Sequence, residues 1–205
     1  MNAGFSSLAA LKRELLMPAD LSKTDQDASV KALGLGVASM FESLANRKFA
    51  RATESVEFPA DRCSVVVPRY PIEAVTLVEV RDSIATGWQA QAGLPDNYLP
   101  LSGIVQFFTP PGIWPASMKV TYTGGYWWDQ GEVTPDAMPS GAIPLPEDLR
   151  AAWVMQCRWF WERRSITDRA KAGFGEDTAL GFAVSQDDLL MPVRQVIATY
   201  RRIAQ

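Results

Sequence analysis

Between Thr53 and Thr123 the apolar residues fall in short β-type runs, and on both sides of that stretch they recur at helical spacing. One element cannot carry both periods. Strand side chains alternate between faces, whereas helical ones return every three or four residues. The chain must therefore fold as helices around an inserted β region. The runs SVEF, CSVVVP, VTLVEV, IVQFF and MKVTYT are short β-type segments. Pro59, Pro68, Pro71, Gly87, Gly93, Gly103 and then Pro110-Pro111-Gly112 separate them. This pattern predicts a small antiparallel sheet or meander over 53–123, with loops long enough to carry function.

The flanks read as helices. Leu8, Leu11 and Leu15 share a face, Ser6 or Ser7 can cap them, and Met17-Pro18 ends the run, which predicts a helix over 5–16. Thr24 and Asp27 resemble a capping box for a helix over 24–47, with Val30, Leu33, Val37, Phe41 and Leu44 on its apolar side. Gly34 and Gly36 weaken that helix, which makes sense if another backbone packs close by. Gln130 to Pro146, rich in Gly and Pro, reads as an extended linker. Pro146 fits the first position of a helix over 147–164. Glu147 and Asp148 at its start, and Arg163 and Arg164 at its end, complement the helix dipole. Leu149, Trp153 and Phe160 share one face while Trp159 and Trp161 lie elsewhere, so this helix needs more than one neighbour. Residues 165–190 carry Gly173, Gly175 and Gly181 and read as a flexible arm. A last amphipathic helix begins near Pro192, with a stripe of Val193, Val196, Ile197, Tyr200 and Ile203. The fold class is thus α+β, a small helical bundle with an inserted antiparallel β region. The organisation is a core over 1–164, then an arm and C-terminal helix over 165–205.

Composition narrows the chemistry. The 205 residues include no histidine, which removes the commonest general base and metal ligand. The two cysteines, Cys63 and Cys157, form no CxxC motif and read as buried thiols, with a single disulfide as the alternative. No metal or cofactor is expected. Net charge is −3 and the isoelectric point is about 5.1, so a dedicated nucleic-acid binder is disfavoured. The N-terminus has no signal-peptide pattern and no run approaches a membrane span, which predicts a soluble protein made in a cytoplasm.

Four groups of residues are candidate sites. Tyr126, Trp127 and Trp128 in VTYTGGYWWD, with Trp88 and Trp114, could form a stacking platform for a sugar or base. The plainer reading makes Gly124-Gly125 a turn and sends the rings into packing, within the chain or against a neighbour. Glu54, Glu57 and Asp61 could pair as acid and base, but on an alternating strand they read as solvated charge. Gly173-Phe174-Gly175 lacks the lysine and hydroxyl of a phosphate loop. Arg163, Arg164, Arg169 and Lys171 could touch a nucleic-acid backbone, although cations dressing a helix end are the favoured reading.

The order of segments says more than any one of them. It runs from ANRKF to PRYPIEAVTLVEV, a WP loop and MKVTYTGGY, then through a proline-rich linker to IPLPEDLRAAWVMQCRWFWERR and finally LLMPVRQVIATYRRI. This order resembles the head–tail connector proteins of tailed bacteriophages, the head-completion or adaptor family, over nearly the whole chain. The linker over 130–142 and the arm over 166–186 are the least similar stretches.

The resemblance implies a structural virion protein at the head–tail junction, with no catalysis and no cofactor. Such proteins form a ring that matches the portal's twelvefold symmetry, extends the DNA channel and presents a surface to a stopper or tail-completion protein. It implies contact with the portal, transient non-specific contact with packaged DNA and none with a membrane. On that footing Tyr126, Trp127, Trp128, Trp159 and Trp161 are expected at subunit or partner interfaces. Val193, Val196, Ile197, Tyr200, Arg201 and Arg202 are expected to dock on the portal, and Arg163, Arg164, Arg169 and Lys171 to meet the DNA channel. The alternatives are another virion component, such as a tail-completion protein, and a carbohydrate-binding module built on the aromatic platform.

Overall fold

The computed structural model describes residues 3–16, 24–83, 87–91, 97–111, 116–131, 136–172 and 189–202; the side chains of Asn97 and of residues 164–172 are outside that description. The elements, in chain order, are α1 (Leu8–Leu15), α2 (Asp27–Ala45), β1 (Ala52–Pro59), β2 (Ser64–Val66), β3 (Ile72–Arg81), β4 (Gln89–Ala90), β5 (Asn97–Leu99), β6 (Ile104–Gln106), β7 (Ser117–Gly124), β8 (Tyr126–Trp127), β9 (Ile143–Pro144), α3 (Glu147–Ala172) and α4 (Met191–Thr199). The fold is mixed α+β with antiparallel sheets, as the switch in period requires.

The chain forms two compact units. The helical unit gathers residues 1–45, 128–138 and 145–201, so α4 belongs with α1, α2 and α3. The α3 helix continues to Ala172, past its expected end at Arg164. The remainder of the expected arm, 173–188, lies outside the described residues, as do Met17, Pro18, Gly93, Gly112, Trp114 and Ile203.

Ser7 caps α1 by accepting a hydrogen bond from the Ala10 N–H at 3.3 Å. The core of the unit is Phe5, Leu11, Val30, Leu33, Val37, Phe41, Leu149 and Trp153, all buried. Close approach at one point fixes how the N-terminal segment packs on α2. A Cβ on Gly34 would strike the carbonyl of Ala3, and one on Gly4, whose φ is +110°, would come within 2.6 Å of the Gly34 carbonyl oxygen. The Trp153 indole N–H donates to that same oxygen at 3.1 Å. The glycine in α2 therefore serves backbone packing, as its cost to helicity suggests.

The sheet unit spans residues 46–127, 139–144 and 202–205. Its main sheet has the order β1-β7-β3-β4, and a second sheet has the order β2-β6-β5. Tyr122, Val120 and Met118 of β7 alternate inward with Val78 and Val80 of β3 into a buried cluster completed by Val65, Val67 and Val105. The expected linker is less plain than its composition suggests. Ile143 and Pro144 form β9, which pairs in parallel with β8, and the Asp129 carboxylate accepts from the N–H groups of Gly131 and Asp136, each at 2.8 Å. Pro146 stands just before α3, its carbonyl accepting the Arg150 N–H at 3.0 Å.

Candidate partner-binding surface

The aromatic motif VTYTGGYWWD distributes its rings into packing. Tyr122 is fully buried in the sheet unit. Tyr126 is buried too, stacked on Phe49 with ring centroids 6.4 Å apart. Trp128 is buried in the helical unit, with its ring 5.5 Å from Phe5. Only Trp127 remains half-buried. Of the five aromatics expected at an interface, Tyr126 and Trp128 are therefore spent within the chain, and Trp127, Trp159 and Trp161 keep partial exposure. The sugar platform is not assembled among the described residues. Trp88 lies under two cations, with Arg81 4.4 Å and Lys119 4.6 Å from its ring centroid, so its face is already taken.

The acidic candidates part ways. Glu57 is exposed, as expected, but Glu54 is half-buried. The Tyr122 hydroxyl donates to its carboxylate at 2.6 Å, and Arg69 and Lys48 lie at 3.3 and 3.2 Å. Burial alone would raise this carboxyl, but the hydrogen bonds from Tyr122 and Lys48 and the charge of Arg69 outweigh it and hold the pKa below its ordinary value. That is the opposite of what a general acid needs. Burial and the Glu54 bond push the Tyr122 hydroxyl up, so it stays protonated. Cys157 is buried, and burial raises its pKa, whereas Cys63 is exposed, contrary to expectation; both are free thiols. Among the described residues no group of three or more His, Cys, Asp or Glu could hold a metal ion.

A feature the sequence did not announce is Arg47 of ANRKF. It is buried, with its guanidinium 3.3 Å from the ring centroid of Tyr70 and 4.9 and 5.4 Å from those of Phe49 and Tyr126. It also donates to the Tyr70 carbonyl. Burial lowers its pKa, and the rings oppose that shift.

The apolar stripe of α4 faces its own unit. Val193 and Ile197 are buried and Val196 is half-buried. The buried Gln156 side chain of α3 accepts the Leu190 N–H at 3.0 Å, and the Tyr200 hydroxyl donates to Asp148 at 2.7 Å. Arg202 is engaged in the sheet unit, donating to the Val66 carbonyl at 2.8 Å. The expected portal-docking stripe is therefore covered in large part, which leaves Arg201 as its exposed member. Of the residues expected at a DNA channel, Arg163 lies 5.0 Å from the Trp159 ring centroid. Arg164, Arg169 and Lys171 lie on α3, with side chains outside the description.

What remains open to a partner is a groove along α3. It has a volume of about 510 Å³ and an apolar lining from Ala151, Val154, Met155, Trp159 and Leu190. Its charged lining includes two spread pairs, Glu14 with Arg158 at 3.6 Å and Glu147 with Arg150 at 3.9 Å, and also Glu162. A lining that mixes apolar with charged residues suits a protein-binding patch. In the sheet unit Leu99, Leu101 and Phe108 are exposed.

No family model matches this chain, and no curated protein matches it by sequence. Solved structures do. A chain in "Neck of empty GTA particle computed with C6 symmetry" superposes with a TM-score of 0.61 at 14% identity, covering 97% of this chain and 90% of that one. A chain in "Virion of native gene transfer agent (GTA) particle" gives 0.59 at 14% identity over the same shares. This protein thus shares its fold with a chain of a gene transfer agent particle neck. Among the described residues no helix is long and apolar enough to cross a membrane.

Proposed function

We propose that this protein is a structural component of the head–tail neck of a phage-like particle. It forms a ring between the portal and the tail or stopper and carries the DNA channel onward, and it catalyses nothing. The observation that carries this reading is the fold likeness, over 97% of the chain, to a chain from a particle neck. The order of sequence segments supports the same assignment independently. The C6 symmetry of that particle fits a ring whose copy number is six or a multiple, in keeping with the twelvefold portal. Contact with the portal falls to exposed basic residues, Arg194 of α4 and Arg201 just after it, because the apolar stripe is occupied. Arg163, Arg164, Arg169 and Lys171 would meet DNA only transiently, since a net charge of −3 suits a conduit that must not grip. Trp88 under its two cations weighs against the carbohydrate module.

Deleting the coding sequence from the producing genome tests the proposal. Electron microscopy should find heads and separate tails that never join, with joining restored by the chain supplied in trans. Normal tailed particles from the deletion strain would overturn it.

A further inference from the structure

We infer that neighbouring copies in the ring meet by inserting the Phe108 loop of one into the α3 groove of the next. The inference rests on the ring reading above and says which surfaces close the ring. A cyclic assembly is built from heterologous contacts, so each chain must carry two different patches that fit each other. An isologous pair would need only one.

The two patches differ in shape and agree in chemistry. Phe108 is 87% exposed, the most exposed of the large apolar side chains described. It is not a loose end. The neighbouring Phe107 is buried and donates its N–H to the Cys63 carbonyl at 2.9 Å, and Pro110-Pro111 follow and restrict the backbone. A solvent-facing ring on a backbone held this way has little freedom left to lose on binding, which favours its use as an interface anchor. The groove offers Met155, 47% exposed, and the half-buried Trp159. A thioether and an indole make favourable contacts with a phenyl ring, and about 510 Å³ leaves ample room for one. Charges flanking the patches agree as well. Arg62, next to Cys63, and Glu162 of the groove are both exposed, opposite in sign and without an ion-pair partner among the described residues. Asp61 beside Arg62 would meet Arg150 or Arg158.

Cross-linking decides it without disturbing either anchor. In a Cys63→Ser background, which leaves only the buried Cys157, Thr109→Cys and Ala151→Cys are introduced singly and together. The rings, alone or assembled on the portal, are oxidised mildly. Disulfides form only where Cα atoms come within about 7 Å. The double variant should give a ladder of covalent oligomers on a non-reducing gel, and each single variant should stay monomeric. Phe108→Asp should weaken association at least about thirtyfold, the loss of one hot spot, with the denaturation midpoint unchanged. Rings that form without a ladder would overturn this contact, assign the groove to another partner and leave the neck proposal standing. Failure to form a ring, alone or on the portal, would overturn both.

Discussion

Trp127 and Trp128 are adjacent in sequence and serve different units: the first stays half-buried in the sheet unit, the second is buried in the helical unit against Phe5. Sequence pattern could say that the rings of VTYTGGYWWD would pack. It could not say where, because a ring in a short aromatic run has no period to mark its face. Trp128→Ala should therefore destabilise the fold itself by about 3–5 kcal/mol, as for other buried tryptophans, read as a lower denaturation midpoint. An unchanged midpoint would return Trp128 to the surface. Testing an interface with a joint Trp127→Ala and Trp128→Ala variant would confuse unfolding with lost assembly. Phe108, by contrast, has a local signal that the sequence reading did not use. In IVQFF the alternation that buries Val105 and Phe107 must turn Phe108 outward, and Pro110-Pro111 mark a loop. Glu54 was not legible, because its partners Tyr122, Arg69 and Lys48 come from remote parts of the chain.

At the scale of elements, the helices and strands follow from their periods, and the departures have physical causes. The α3 helix outruns its expected end because no glycine or proline intervenes before Gly173. The amphipathic stripe of α4 was plain, but amphipathicity names a face and not its partner. A clue lay in Gln156, a lone amide within WVMQCRWFW, since a buried polar group needs a partner. That partner is the Leu190 N–H, just ahead of α4. Gln156→Leu removes it while keeping similar bulk, at a cost of about 1–3 kcal/mol for the orphaned donor. Amide hydrogen exchange over Met191–Thr199 should accelerate in this variant more than exchange in β3 and β7. Equal protection in α4 before and after the change would show that apolar packing alone seats the helix.

Across the whole molecule, the order of segments was enough to suggest a class of assembly, and the fold is shared over 97% of the chain with a chain from a gene transfer agent particle neck. The groove that would receive a neighbour was not legible, since its lining comes from Glu14, α3 and Leu190, which only tertiary packing unites. The same holds for the aromatic enclosure of Arg47. Both sit outside the reach of any local pattern, whereas the absence of histidine and of any nucleophile pair could be read directly. The central claim is that this chain builds a ring that meets the portal. The most direct measurement is native mass spectrometry of the protein alone and mixed with the portal protein of the same genome. The account predicts a stoichiometric complex of both rings, with six or twelve copies of this chain per portal, even if the protein alone is monomeric. An intact portal ring that binds none of it would contradict the account.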